Sequence, residues 1–91
     1  MVFWSVSALA ENAKVEIFIT SWCPYCRKLE TFLKNSQIDF TRYDVEKDAK
    51  AKAVFDSLGG SGVPLVRVGD DVIHGYDPQK IIASLKHQTT R

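Results

Sequence analysis

The chain has 91 residues, of which 45% are hydrophobic and 25% charged, as is typical of one small folded domain. Its formal net charge is +1 at pH 7, so the overall charge does not favour nucleic acid or an anionic membrane surface as a partner. No apolar run in the sequence approaches the ~20 residues that a membrane-spanning helix needs.

The first segment, residues 1–13, permits three interpretations. Residues 2–10 are mostly apolar, and residues 8–10 (Ala-Leu-Ala) have the form of a signal-peptidase site. However, the apolar stretch is short and no basic residue precedes Lys14. The segment is therefore a loosely held arm, the remnant of an export signal, or the product of a misassigned start codon. We expect a cytoplasmic protein, or a periplasmic or exported one if residues 8–10 are a cleavage site.

The first strand and helix follow this segment. Lys14–Thr20 alternates β-branched and aromatic residues, which predicts a strand. Pro24 suits the first turn of a helix, and Asn35 with Ser36 end that helix. Four apolar residues at i, i+4, i+7 and i+8 predict one helical face: Tyr25, Leu29, Phe32 and Leu33.

The second strand and helix are indicated by similar patterns. Ile38–Val45 alternates and is rich in β-formers, which predicts a strand. Lys47–Leu58 has apolar residues at helical spacing, with Asp48 as N-cap. Gly59 and Gly60 are suited to end that helix in a left-handed turn.

A hairpin and a last helix complete the pattern. Leu65–Val68 and Val72–His74 flank residues 69–71 (Gly-Asp-Asp), which predicts a short-loop hairpin. Asp77 as N-cap and Pro78 at the first helical position begin the last helix. Its predicted apolar face consists of Ile81, Ile82 and Leu85.

The order β-α-β-α-β-β-α predicts the fold. A right-handed crossover makes the first two strands parallel neighbours, and the final hairpin is antiparallel. We therefore expect an α/β fold, a mixed four-stranded sheet flanked by three helices, over residues 14–91. Residues 87–91 are expected to form a polar tail.

The two cysteines of the chain lie where the first strand passes into the first helix. Cys23 is expected at or beside the N-cap, where unpaired N–H groups and the helix dipole favour its thiolate. Arg27 and Lys28 add positive charge one turn later. A free thiol has a pKa near 8.5, and cysteines in such settings have values of about 3.5–7.5. Cys26 lies within the first turn, where it can displace a partner captured by Cys23.

Two other uses of the cysteine pair are disfavoured. A disulfide that closes so short a loop removes little entropy from the unfolded chain, which argues against a structural staple. Structural zinc needs four ligands at short spacings, and His74 and His87 are the only histidines. The pattern thus indicates thiol–disulfide exchange at Cys23 and Cys26, with no metal site.

Three motifs together resemble the glutaredoxin branch of the thioredoxin superfamily, over Lys14 to about Lys86. Residues 23–26 (CPYC) are identical to the active-site motif of many dithiol glutaredoxins. Val63-Pro64 matches the family's Val-Pro, whose proline follows a cis peptide bond. Residues 74–81 (HGYDPQKI) occupy the place of its Gly-rich turn. The resemblance implies a thioredoxin-like fold and thiol–disulfide oxidoreductase activity.

The resemblance also implies a substrate-binding surface. A cis bond before Pro64 would expose the Val63 backbone beside Cys23, where an extended substrate could pair with it. Gly75 would let the backbone approach a ligand, and Asp77 with the following N–H groups would hold the γ-glutamyl end of glutathione. The alternatives are an ordinary trans proline and an aspartate that only caps its helix.

The chain departs from the family pattern at several positions. Many glutaredoxins carry a lysine where this chain has Thr20. Trp22 precedes Cys23 and gives the "WC" of thioredoxins. Its side chain either offers a flat surface suited to a protein partner or is a half-buried aromatic at the end of the strand. Tyr76 resembles the aromatic of glutaredoxin-like electron donors of ribonucleotide reductase. Tyr25 either packs on its helix or presents its hydroxyl to a partner.

The resulting hypothesis is a monomeric dithiol oxidoreductase that reduces protein disulfides or glutathione mixed disulfides. Its partners would be disulfide-containing proteins and glutathione as co-substrate, with no bound cofactor. A second hypothesis is a thioredoxin-like electron donor recycled by a flavoprotein reductase. A third, from another class, is a module that binds a [2Fe–2S] cluster through Cys23 and glutathione.

Overall fold

The computed structural model describes residues 14–89, with side chains to residue 87. The interpretations of residues 1–13 lie outside this range. The elements in chain order are β1 Val15–Ile19, α1 Pro24–Asn35, β2 Thr41–Asp44, α2 Ala49–Ser57, β3 Leu65–Val68, β4 Asp71–His74 and α3 Pro78–Thr89.

The strands form one sheet in the order β2-β1-β3-β4. β1 and β2 are parallel, with Ile19 opposite Asp44, whereas β3 is antiparallel to both β1 and β4. The predicted α/β architecture, a mixed four-stranded sheet with three helices, is thus confirmed. β1 is one of the two inner strands of the sheet, and all five of its residues are buried.

The core lies on both faces of this sheet. On one face, Ile17 and Ile19 of β1 pack with Leu29 and Leu33 of α1 and Ile81 of α3. On the other face, the buried residues form a second cluster: Phe18, Val45, Phe55 and Leu65. Each fully buried aliphatic side chain contributes about 1.5–3 kcal/mol. The burial fixes the C-terminal end of β1, where the two cysteines follow.

The predicted strand Ile38–Val45 is too long, because β2 begins only at Thr41. The preceding residues complete the C-terminus of α1 instead. The Ile38 N–H donates to the Leu33 carbonyl at 2.9 Å, and Gln37 adopts a left-handed φ of 57°. These are features of a Schellman cap, which this sequence forms without glycine.

Asp48 is the N-cap of α2, as predicted. Its Oδ1 accepts hydrogen bonds from the Lys50 and Ala51 N–H groups at 3.0 and 3.2 Å, so the helix begins after Lys47 rather than at it. Of the two glycines predicted to end α2 in a left-handed turn, only Gly59 has a positive φ, of 80°.

The hairpin and last helix are slightly longer than predicted. Asp71 pairs with Val68, which leaves a two-residue loop and places Asp71 within β4. Asp71 Oδ2 also accepts a hydrogen bond from the Ser84 hydroxyl at 2.6 Å. α3 continues to Thr89, so the predicted polar tail from residue 87 is wrong over its first part; basic side chains there complement the helix dipole.

Two residues assigned to apolar helix faces are exposed. Tyr25 is 58% exposed and Ile82 is 41% exposed. Tyr25 lies in the first turn of α1, where its ring contacts Lys28 of the same helix. Ile82 is rotated by about 100° from the buried Ile81, which carries the contact with the sheet.

Gly60 offers a test of the packing beside α2. A Cβ at this position would lie 2.6 Å from ring carbons of Phe55, a buried core residue. We expect Gly60→Ala to lower the free energy of unfolding by about 1–3 kcal/mol, measured by urea denaturation. Gly62→Ala is the matched control, because a Cβ there meets nothing within 4 Å. Equal stability of the two variants would contradict this packing.

Candidate active site

Cys23 is the N-cap residue of α1, as predicted, with an extended backbone (φ −84°, ψ 115°). Its sulfur accepts a hydrogen bond from the Cys26 N–H at 3.1 Å, and Pro24 occupies the first turn. The amide and the helix dipole both place partial positive charge at this sulfur. Such an environment stabilises a thiolate.

Cys26 lies one turn into α1 and is joined to Cys23 as a disulfide. The two Cα atoms are 5.2 Å apart, within the usual range for a disulfide. Both residues are buried and belong to the core cluster under α1. The pair can therefore alternate between a dithiol and an internal disulfide without separating the elements that carry it.

The Val63-Pro64 peptide bond is cis, as the resemblance implied. Because Phe18 pairs with Leu65, the antiparallel register carries Val63 and Pro64 alongside the end of β1, next to the cysteine loop. Pro64 is buried and Val63 is half-buried. The Val63 backbone therefore lies at the rim of the active site.

The residues of the turn before α3 form contacts within the chain that fix the conformation of the turn. Gly75 has a left-handed φ of 84°, and its N–H donates to the Pro64 carbonyl at 2.9 Å. Asp77 caps α3, since its Oδ1 accepts from the Lys80 N–H at 3.2 Å. Tyr76 packs edge-on against Phe32 of α1, with ring centroids 6.5 Å apart. A ligand role for these residues stays a prediction.

Trp22, the residue before Cys23, is 63% exposed, so a half-buried strand-end aromatic is the wrong description. Its indole Nε1–H donates to both carboxylate oxygens of Glu46 at 3.0 Å. Sequence analysis missed Glu46. The predicted parallel pairing of β1 and β2 was a signal for it, because the residues that follow two parallel neighbouring strands lie beside each other.

Two open grooves are lined by residues that precede or follow the two cysteines in the chain. One, of about 370 Å³, is lined by Thr20, Trp22, Glu46, Val63 and residues of α2, including Lys52 and Asp56. We call it the α2 groove. The other, of about 470 Å³, lies between α1 and Tyr76 and is lined by Arg27, Lys28, Thr31, Phe32, Asn35 and Tyr76. Tyr25 contacts Lys28, whose Nζ is 5.2 Å from its ring centroid.

Within residues 14–87 no group of three or more His, Cys, Asp or Glu side chains is arranged to hold a metal ion. Over the same part of the chain, no helix is long and apolar enough to cross a bilayer.

Comparison with known proteins gives a consistent result. The family model described as Glutaredoxin matches residues 15–73. A glutaredoxin-like 8.6 kDa protein of the rubredoxin operon of Clostridium pasteurianum is 34% identical over 68 residues, which cover 74% of this chain and 91% of that protein.

Two solved structures share the fold. The glutaredoxin of Archaeoglobus fulgidus superposes with a TM-score of 0.69 at 28% identity, covering 82% of this chain and 88% of its own. A thioredoxin-like protein superposes with a TM-score of 0.75 at 27% identity, covering 80% and 95% respectively. The thioredoxin-like fold is thus confirmed. With the matched family model and a Cys-x-x-Cys pair at a helix N-cap, the chain belongs to the glutaredoxin family and is a thiol–disulfide oxidoreductase.

Proposed function

We propose that the reduced chain transfers two electrons to disulfides of proteins and to mixed disulfides of glutathione. Cys23 is the attacking residue and Cys26 the resolving one. The observation that carries this assignment is the hydrogen bond from the Cys26 N–H to the Cys23 sulfur at the helix N-cap. It distinguishes the two sulfurs, since the one that is stabilised as a thiolate is the better nucleophile near neutral pH.

The reaction proceeds in two exchanges. The Cys23 thiolate attacks one sulfur of the substrate disulfide, that S–S bond breaks, and the other substrate sulfur leaves and takes up a proton. Cys26, deprotonated, then attacks the Cys23 sulfur, which forms the internal disulfide and releases the second substrate thiol. The substrate is reduced by two electrons and the chain is oxidised by two. Two molecules of a thiol such as glutathione then restore the dithiol and are themselves joined as a disulfide.

Backbone groups at the rim support the placement of a substrate. An extended segment carrying the target sulfur would pair with the Val63 backbone in the manner of an added strand, and Pro64 holds that backbone in place. For glutathione, we assign the γ-glutamyl end to the turn formed by Gly75, Tyr76 and Asp77. The Asp77 carboxylate and the N–H groups behind it have the polarity for the amine and the carboxylate respectively.

The test is a steady-state assay of wild type and Cys26→Ser with two substrates, a small glutathione mixed disulfide and a protein with one internal disulfide. We expect Cys26→Ser to keep most of the first activity, because glutathione itself can release the captured sulfur, and to lose the second. Inactivity of the wild type on both substrates would refute the function. Full protein-disulfide activity of Cys26→Ser would refute the resolving role.

A thioredoxin-like electron donor is the second candidate. The exposed indole of Trp22 beside Cys23 favours it, as does the similarity to a protein named thioredoxin-like. In this case a flavoprotein disulfide reductase would reduce the Cys23–Cys26 disulfide directly. NADPH oxidation by such a reductase in the absence of glutathione is the discriminating measurement, and failure with several reductases would reject this candidate.

We also infer that the chain works as a monomer in the cytoplasm, where thiols are kept reduced. The alternative is export with cleavage at residues 8–10, which lie outside the residues that the structure describes. Mass spectrometry of the intact protein from cytoplasmic and periplasmic fractions decides between them, because cleavage after Ala10 would shorten the exported form.

A further inference from the structure

Glu46 carries an unneutralised charge beside the reactive cysteine. Its carboxylate accepts both hydrogen bonds from the Trp22 indole, and no basic side chain among residues 14–87 forms an ion pair with it. The other charges of the α2 groove cancel, since Lys52 pairs with Asp56 at 3.0 Å. The groove therefore has one net negative charge, located next to the residue that precedes Cys23.

The same groove contains a buried polar atom without a partner. Thr20 is 5% exposed, and its Oγ1 has no hydrogen-bond partner among the described residues. A buried hydroxyl left unpaired is destabilising, so a bound group that forms a hydrogen bond with it is favoured at this place. The Thr20 carbonyl accepts from the Cys23 N–H at 3.5 Å, which places this end of the groove directly beside the active site.

We propose that Glu46 selects the substrate, favouring protein disulfides that have a lysine or arginine side chain next to the target cysteine. This inference rests on the proposed function. A substrate segment paired at Val63 and captured by Cys23 must pass the α2 groove, where a cationic side chain meets the Glu46 carboxylate. A carboxylate in the same place, whether from an acidic side chain or from glutathione, is repelled. Trp22 supplies the flat face on which a guanidinium or ammonium group rests.

The test uses three synthetic peptides, each closed by one internal disulfide and differing only in the residue beside one cysteine, which is Lys, Gln or Glu. The chain is reduced beforehand, and single-turnover rates are followed by quenching and chromatography. We expect wild type to reduce the Lys peptide about three- to tenfold faster than the Glu peptide at low salt. High salt should remove most of this difference, because exposed charges are screened.

Two variants separate the charge of Glu46 from its contact with Trp22. Glu46→Gln removes the charge and keeps an oxygen that accepts from the indole, so the difference in rate between the Lys and Glu peptides should disappear. Glu46→Lys should reverse the preference. Asp39→Lys is the matched control, since it makes the same charge change on an exposed residue ahead of β2, at the opposite end of that strand from Glu46. It should keep the wild-type preference.

Each outcome has a definite meaning. Equal rates for the Lys and Glu peptides with wild type, or an unchanged preference in Glu46→Gln, would overturn the role of Glu46 and leave the oxidoreductase function intact. Failure of wild type to reduce any of the three peptides would overturn the proposed protein-disulfide function itself, and this inference with it.

Discussion

Cys23→Ser should abolish reduction of both protein disulfides and glutathione mixed disulfides, to the rate without enzyme. A serine hydroxyl at the N-cap is not ionised near neutral pH, and no other thiol of the chain receives the Cys26 N–H. Cys26 lies within the first turn and not at the N-cap, so its sulfur lacks this stabilisation and does not substitute for Cys23. The measurement is the same two-substrate assay, with initial rates taken over a range of enzyme concentrations.

A folding control makes this loss interpretable. Serine is an accepted N-cap residue, so Cys23→Ser should begin α1 at the same place. Its thermal unfolding midpoint should match that of Cys26→Ser under reducing conditions. Under these conditions neither the variants nor the wild type contain a disulfide. Appreciable activity in well-folded Cys23→Ser would show that the nucleophile has been misassigned.

The elements that local patterns specify were predicted well from the sequence. The caps at Asp48 and Asp77 rest on one side chain and the amides within three residues of it, so they need no tertiary information. The same is true of Cys23, whose position before Pro24 predicts the helix start. The parallel pairing of β1 and β2 followed from the connection between them.

The parts that sequence analysis missed depend on contacts between distant residues or on unusual local geometry. The hydrogen bond between Trp22 and Glu46 joins residues 24 positions apart, so it follows from the parallel pairing of β1 and β2 and not from any local pattern. The late start of β2 depends on Gln37, a non-glycine residue in a left-handed conformation that propensity disfavours.

The second large effect concerns the reactivity of Cys23 towards an alkylating agent. At pH 6 a free thiol with a pKa near 8.5 is less than about 1% ionised, whereas N-cap cysteines with lowered pKa are about tenfold to a few hundredfold more ionised. The lower basicity reduces the intrinsic nucleophilicity of such a thiolate, which offsets part of this gain. We expect Cys23 to react about five- to tenfold faster than free cysteine at pH 6, and more slowly than free cysteine above pH 9.

The pH profile of iodoacetamide alkylation on reduced Cys26→Ser, which leaves Cys23 as its single thiol, tests the central claim that this sulfur is a stabilised thiolate. The position of the inflection is independent of how far burial slows the reaction. The hydrogen bond from the Cys26 N–H is a backbone contact, so this variant keeps it. We predict an inflection below about pH 7.5. An inflection at or above that of free cysteine measured in parallel would contradict the account.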